Sequence, residues 1–171
     1  MKKIILAAIV LLSFASAQAT TLSAEVGSSF NQNTKQFNRT SEFRVQNDAI
    51  GIQLVKNGSV DRVEADYNLR TSYIPFASVD IGAGVVTGQT IGHYTYSVMP
   101  KVQFDLSDKV SLVGSYKFRS DADKTVQDRT QTASIGIGYE AYKDVALIAK
   151  ISSMTGDVRS KTASIGVAYR F

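Results

Sequence analysis

Thr162-Ala163-Ser164-Ile165-Gly166-Val167-Ala168-Tyr169-Arg170-Phe171 alternates without a break. Ala163, Ile165, Val167, Tyr169 and Phe171 form one apolar set; small or polar residues stand between them, with Arg170 the one charge. Successive side chains of a β-strand point to opposite faces, so this segment has one greasy face and one polar face. A helix would smear the two sets around its circumference.

The same period recurs upstream. Leu22, Ala24, Val26 and Phe30 mark a first segment, and Phe43 and Val45 close a weaker second that begins near Asn38. Ile50, Ile52 and Leu54 mark a third; Val63, Ala65, Tyr67, Leu69, Thr71 and Tyr73 a long fourth; Val79, Ile81, Ala83 and Val85 a fifth. Tyr94, Tyr96, Val98, Val102 and Phe104 mark a sixth, Val110, Leu112, Tyr116 and Phe118 a seventh, Ala133, Ile135, Ile137 and Tyr139 an eighth, and Val145, Leu147, Ala149 and Ile151 a ninth. No segment carries a convincing helical period. The expected fold is an all-β, antiparallel up-and-down transmembrane β-barrel of ten strands, with eight as the alternative. Pro100 removes a ladder hydrogen bond from the sixth segment, so a bulge or a shorter strand is expected there.

The N-terminus reads as an export signal. Lys2 and Lys3 precede the apolar run Ile4 to Leu12, and Ala17-Gln18-Ala19 has the small-x-small form of a cleavage site. Residues 1–19 are therefore expected to be removed, leaving residues 20–171 as one barrel domain, and the formal charge drops from +4 to +2. That charge is weak support for nucleic acid, and none is expected as a partner. The chain has no cysteine, a thiol-free design suited to an oxidising compartment. Nothing after residue 19 approaches the ~20 continuous apolar residues of a membrane helix. Strands of ~10 residues at ~3.4 Å rise, tilted ~40°, span roughly 25 Å, the height of a lipid-facing band.

The connections fall into two sets. Asn47-Asp48, residues 74–77, Ser107-Asp108-Lys109 and Tyr142-Lys143-Asp144 are tight. Residues 31–36, 56–61, 87–93, 120–131 and 153–161 are mostly longer and more polar. Short turns at one rim and longer loops at the other fit a barrel with its short turns in the periplasm. Phe30, Phe37, Tyr94 and Phe118 then fall near the outer ends, and Phe43, Tyr73, Phe104, Tyr139 and Phe171 near the inner ends. Two aromatic girdles are what a membrane barrel shows.

The opposite parity is charged. It holds Glu25, Glu42, Arg44, Arg62, Glu64, Asp66, Arg70, Asp80, Lys101, Lys117, Glu140, Lys150 and Arg170, with Asp105 and Arg119, eight basic and seven acidic groups in all. Charge facing lipid at mid-membrane costs ~2–4 kcal/mol for Arg or Lys, so these groups are expected to point into the lumen. Near-balance suggests a paired interior, since unpaired burial is also costly. Gly51, Gly82, Gly84, Gly136, Gly138 and Gly166 share that face and leave room for long neighbours to lie across them. Two pairs are expected: Arg70 with Asp80 across the 74–77 turn, and Glu25 with Arg170 where the first and last strands close.

The chain as a whole resembles, in pattern and not by a sharp motif, the small outer-membrane β-barrels of the opacity-protein and outer-membrane-protein-X type. Its ending is similar to the terminal strand of such barrels, where a last aromatic and alternating apolar residues form the assembly signal. Carried over, that signal is Ile165, Val167, Tyr169 and Phe171. The resemblance implies a monomer in the outer membrane of a Gram-negative bacterium, in contact with lipid and lipopolysaccharide and inserted by the barrel assembly machinery. Functions in such families range over adhesion, envelope maintenance and host interaction.

No enzyme chemistry is expected, and no cofactor or metal. His93, the only histidine, precedes Thr95 and Ser97. Outer-membrane lipid deacylases use a histidine and a serine two residues apart, where this chain has Thr95, and no accompanying carboxylate is evident on the same lipid-facing surface. Asp121, Asp123 and Asp128 lack the glycine and glutamate of a calcium loop. The leading reading is a structural or surface-interaction barrel with a charge-filled lumen. The alternatives are a small pore for ions or small solutes and an outer-membrane lipid-modifying enzyme.

Overall fold

The computed structural model describes residues 20–58, 60–70, 74–87, 93–122 and 129–171. The expected leader, Thr71 and Tyr73, most of the 87–93 connection, and Asp123 and Asp128 lie outside the described residues. Ten strands form: β1 (Thr21–Asn31), β2 (Gln36–Gln46), β3 (Ile50–Asn57), β4 (Val60–Arg70), β5 (Ala77–Thr87), β6 (His93–Ser107), β7 (Val110–Asp121), β8 (Thr130–Tyr142), β9 (Val145–Gly156) and β10 (Ser160–Arg170). Each pairs antiparallel with its chain neighbours, and β1 pairs with β10 to close the barrel. Eight strands are excluded: the weak second segment is a full strand, paired along all of β1 from Thr21↔Gln46 to Asn31↔Gln36. Closure gives every strand two partners and leaves no open edge.

Three details differ from expectation. The 56–61 connection shrinks to residues 58 and 59, because Asn57 already pairs with Val60. Gly58 takes φ +62°, the sign that primed hairpin turns require. Likewise β9 and β10 run far into the 153–161 connection, with Ser160 opposite Met154. Pro100 neither bulges nor shortens its strand; β6 is the longest, at fifteen residues. Its pairing with β7 passes over Met99 and Pro100 and resumes in the same register, Val98↔Phe118 and Lys101↔Ser115. The missing N–H costs one rung, while β5 continues to pair on the other side, Val79↔Pro100. The register shifts instead at Asp105/Ser107 and Glu140/Tyr142, next to turns.

One connection at each rim carries its own hydrogen bonds. Asn31 Oδ1 accepts from the backbone N–H of Asn33 and Thr34, at 2.9 and 3.1 Å. Asn47 Oδ1 accepts from Ala49 and Ile50, at 2.9 and 2.6 Å. These side chains do locally what a backbone turn does and so fix the hairpin ends.

The barrel is inside out relative to a water-soluble core. One large apolar residue, Val86, is buried among the described residues, against thirteen polar or charged ones. Twenty-nine large apolar or aromatic residues are exposed, most of them on the outward parity of the strands. Aromatic pairs sit on this surface near the strand ends. Phe30 and Phe37 have centroids 4.8 Å apart at the loop end; Phe76 with Phe104 at 5.5 Å and Tyr169 with Phe171 at 4.7 Å lie at the other.

Candidate functional site

The inward face gathers its charges into three clusters. In the first, Arg44 of β2 donates to Asp66 of β4 at 2.6 Å and to Asp80 of β5 at 3.3 Å. Lys101 of β6 meets the same Asp80 carboxylate at 2.7 Å, and Asn68 Nδ2 donates to its other oxygen. Asp80 is 2% exposed, yet it is hydrogen-bonded on both oxygens. In the second, Lys117 of β7 pairs with Glu64 of β4, and Ser97 Oγ of β6 donates to that carboxylate at 2.6 Å. In the third, Lys150 of β9 bridges Glu25 of β1 at 2.8 Å and Glu42 of β2 at 3.0 Å. Ser164 of β10 donates to Glu25 and Gln53 of β3 to Glu42. Every strand but β8 supplies a member. A buried charge is tolerable when its remaining hydrogen-bonding capacity is also met; Asp80, Glu25 and Glu42 are bonded on both carboxylate oxygens, whereas Lys117 and Ser97 both meet Glu64 at Oε1.

Glycines let the clusters form. Gly51 of β3 lies beneath the Arg44–Asp66 bond: a Cβ there would sit 2.5 Å from Asp66 Oδ1 and 2.8 Å from Arg44 Nη2. Gly82 of β5 lies beneath the Glu64–Ser97 bond, with both oxygens 2.8 Å from such a Cβ. Gly166 of β10 lies beneath the Glu25 side chain, whose Cγ would be 2.6 Å away. In each case an inward side chain on one strand crosses over a glycine to a partner two or more strands away.

The expected pairs are not those that form. Asp80 stands opposite Asn68, while Arg70 stands opposite Ser78, at the rim. Arg70 is exposed and its nearest carboxylate is Asp48, at 3.8 Å. Glu25 stands opposite Gly166, and Arg170 opposite Thr21, one strand end away. Arg170 and Glu140 are exposed at the rim where β1 begins and β10 ends, whereas Arg62 and Arg119 face inward toward the loop end. Asn68 shares the inner face of β4 with the charges, as its parity in the sequence requires; Gln46, whose Oε1 accepts from Arg44 Nε at 3.0 Å, and Gln53, Ser97 and Ser164 belong to the clusters and were missed. Their signal was parity, which they share with the charges.

His93 has a carboxylate neighbour on the lumen side of the wall, not on the lipid-facing surface. It faces inward at the loop end of β6, with Nε2 3.2 Å from Asp121 Oδ2 of β7. Thr95, 3% exposed, stands opposite Asp121 in the ladder. This group lies in the wall of the lumen and does not face the apolar exterior. No cluster of metal ligands occurs among the described residues.

Neither a family model nor a curated relative matches the chain. Its fold is shared with solved outer-membrane barrels. NanC porin aligns with a TM-score of 0.51 at 7% identity, over 86% of this chain and 100% of that one. KdgM porin in complex with disordered oligogalacturonate aligns at 0.49 and 11% identity, over 88% and 99%. Neisserial surface protein A aligns at 0.42 and 13% identity, over 90% and 96%. At such identities the likeness is one of fold.

Proposed function

We propose that the protein is an integral outer-membrane β-barrel of the structural or surface-interaction type, with a lumen closed by cross-linked charge. The observation that carries this is the span of the three clusters. Arg44, Lys117 and Lys150 each bond a carboxylate on a strand that is not their hydrogen-bonded neighbour, while Lys101 bonds Asp80 on the adjacent β5 and so joins the Arg44 cluster. Side chains that meet in this way fill the interior instead of lining a channel. The apolar exterior supports residence in a bilayer, where only helices and closed barrels satisfy their backbone. Resemblance to the opacity-protein and outer-membrane-protein-X type supports a monomer, and the termini at the short-turn rim support loops that face outward. The assembly signal at Ile165, Val167, Tyr169 and Phe171 is part of the same reading.

A second reading, a narrow pore, has one observation in its favour. The wall around β8 presents Ser134, Gly136 and Gly138 to the lumen, and a Cβ on Gly136 would meet nothing closer than 3.4 Å. Planar-bilayer recording separates the two. The closed-lumen reading expects no steady channels from the native barrel and channels from Arg44→Ala/Lys101→Ala/Lys117→Ala. Steady conductance from the native barrel would favour the pore. A barrel that remains soluble without detergent and does not insert into vesicles would end both readings.

A further inference from the structure

The strands carry eleven lysines and arginines, and eight of them face inward. The three that face outward are Arg39 of β2, Lys56 of β3 and Lys161 of β10. They lie on neighbouring strands around β1, and all three are within a few residues of the loop end. Lys161 stands opposite Phe30, Arg39 opposite Ser28, and Lys56 opposite Ser41. The one outward acid of the strands is Asp61, 3.7 Å from Lys56. No outward lysine or arginine lies at the other end of any strand.

Beside Arg39 and Lys56 the wall is indented. Ser28, Ser41 and Ala163 are too small to fill the outward face, and they floor a shallow depression edged by Arg39 and Lys56. Val26 and Ile165, paired across β1 and β10, continue the depression toward the middle of the strands. Arg39 lies on the middle side of the Phe30–Phe37 pair, two residues further into β2 than Phe37. A cation in that position is costly against bare hydrocarbon and far less so near the interface, where its stem lies along apolar surface and its head reaches polar groups. Clustered basic residues at a membrane boundary recruit anionic headgroups.

We infer that this outward patch is a binding site for a phosphorylated glycolipid of the outer leaflet. Its phosphates are held by Arg39, Lys56 and Lys161, and an acyl chain lies along Val26 and Ile165. The sign of the charge selects an anionic group such as phosphate, and the apolar continuation selects a lipid over a free anion. The inference rests on the membrane reading above and adds a site to it.

Lipid A, which carries two phosphates, is the probe. The full barrel is first inserted into vesicles and checked for protease resistance; failure at that step would overturn the membrane reading, not this site alone. Native mass spectrometry of the detergent-solubilised barrel then measures lipid A binding. Arg39→Gln/Lys56→Gln/Lys161→Gln is expected to weaken it roughly 100-fold, at about one decade or less per cation. Lys109→Gln/Lys143→Gln, in turns at the opposite rim, should leave it unchanged. Dephosphorylated lipid should bind as weakly as the triple variant shows, and millimolar inorganic phosphate should not displace lipid A. Equal binding by the triple variant, an equal loss in the opposite-rim variant, or displacement by free phosphate would overturn the assignment.

Discussion

Lys150 on β9 holds Glu42 on β2 at 3.0 Å, although β10 and β1 stand between those strands in the sheet. The contact runs through the lumen and not along the ladder. It ties together strands from the two ends of the chain, and the same ammonium holds Glu25 on the way. Closure of the barrel thus rests on side chains as well as on the β1–β10 backbone pairing.

Replacing that cation should therefore cost more than a surface ion pair would. Lys150→Met leaves Glu25 and Glu42 facing each other without a counter-charge. Removing one partner of a buried pair costs about 3–5 kcal/mol. Urea unfolding in vesicles should show the loss, and Lys150→Met/Glu25→Gln/Glu42→Gln should regain most of it. A single variant as stable as the native barrel would mean that the lumen solvates these carboxylates.

The crossings predict which glycines can be replaced. Gly51→Leu would push into the Arg44–Asp66 bond and should destabilise the barrel by about 1–3 kcal/mol, as overpacking does. Gly136→Ala meets only ordinary contacts, at 3.4 Å or more, and should be near neutral. The unfolding midpoints of the two variants, measured side by side, test the crossing role. Equal midpoints would remove it.

Parity makes a prediction on β8. Ile137 faces outward and is 46% exposed, while Ser134 faces the lumen. Ile137→Arg should cost about 2–4 kcal/mol in a bilayer. Ser134→Arg should cost clearly less, because it joins a polar interior. The reverse order would mean that the lipid-facing side has been misassigned.

Phe171 packs edge-on against Tyr169, and its backbone N–H donates to Thr20 at 2.9 Å. Phe171→Ser keeps that hydrogen bond and removes the ring. Insertion into the outer membrane of cells should fall severalfold, while refolding into detergent micelles should proceed as for the native chain. Equal loss in both assays would make the ring a stability element and not an assembly signal.

How far the chain could be read in advance differs from element to element. The β8, β9 and β10 alternation is uninterrupted, and those strands lie where the period puts them. β2 was legible only in part, since Arg39 and Ser41 break its outward apolar set; its pairing to β1 at every residue comes from the hairpin that joins them. The lengths of β9 and β10 were underestimated because polar residues near a rim look like loop. His93 and Asp121 are far apart in the chain and became neighbours only once β6 and β7 were in register.

The period of two assigned each side chain to the lumen or to the exterior, because a strand cannot put neighbouring residues on one face. That alone decided that Arg170 and Ile165 of the last segment go to opposite sides and that the charges share an interior. Partnership was decided only by the closed barrel. Arg70 was expected to meet Asp80, and Glu25 to meet Arg170, on the premise that charges pair with the next strand. Lys101 does pair with the next strand, at Asp80, but Arg44, Lys117 and Lys150 reach past the adjacent strand, over Gly51, Gly82 and Gly166. Which strands then face one another depends on stagger and closure, and no local pattern of residues encodes either.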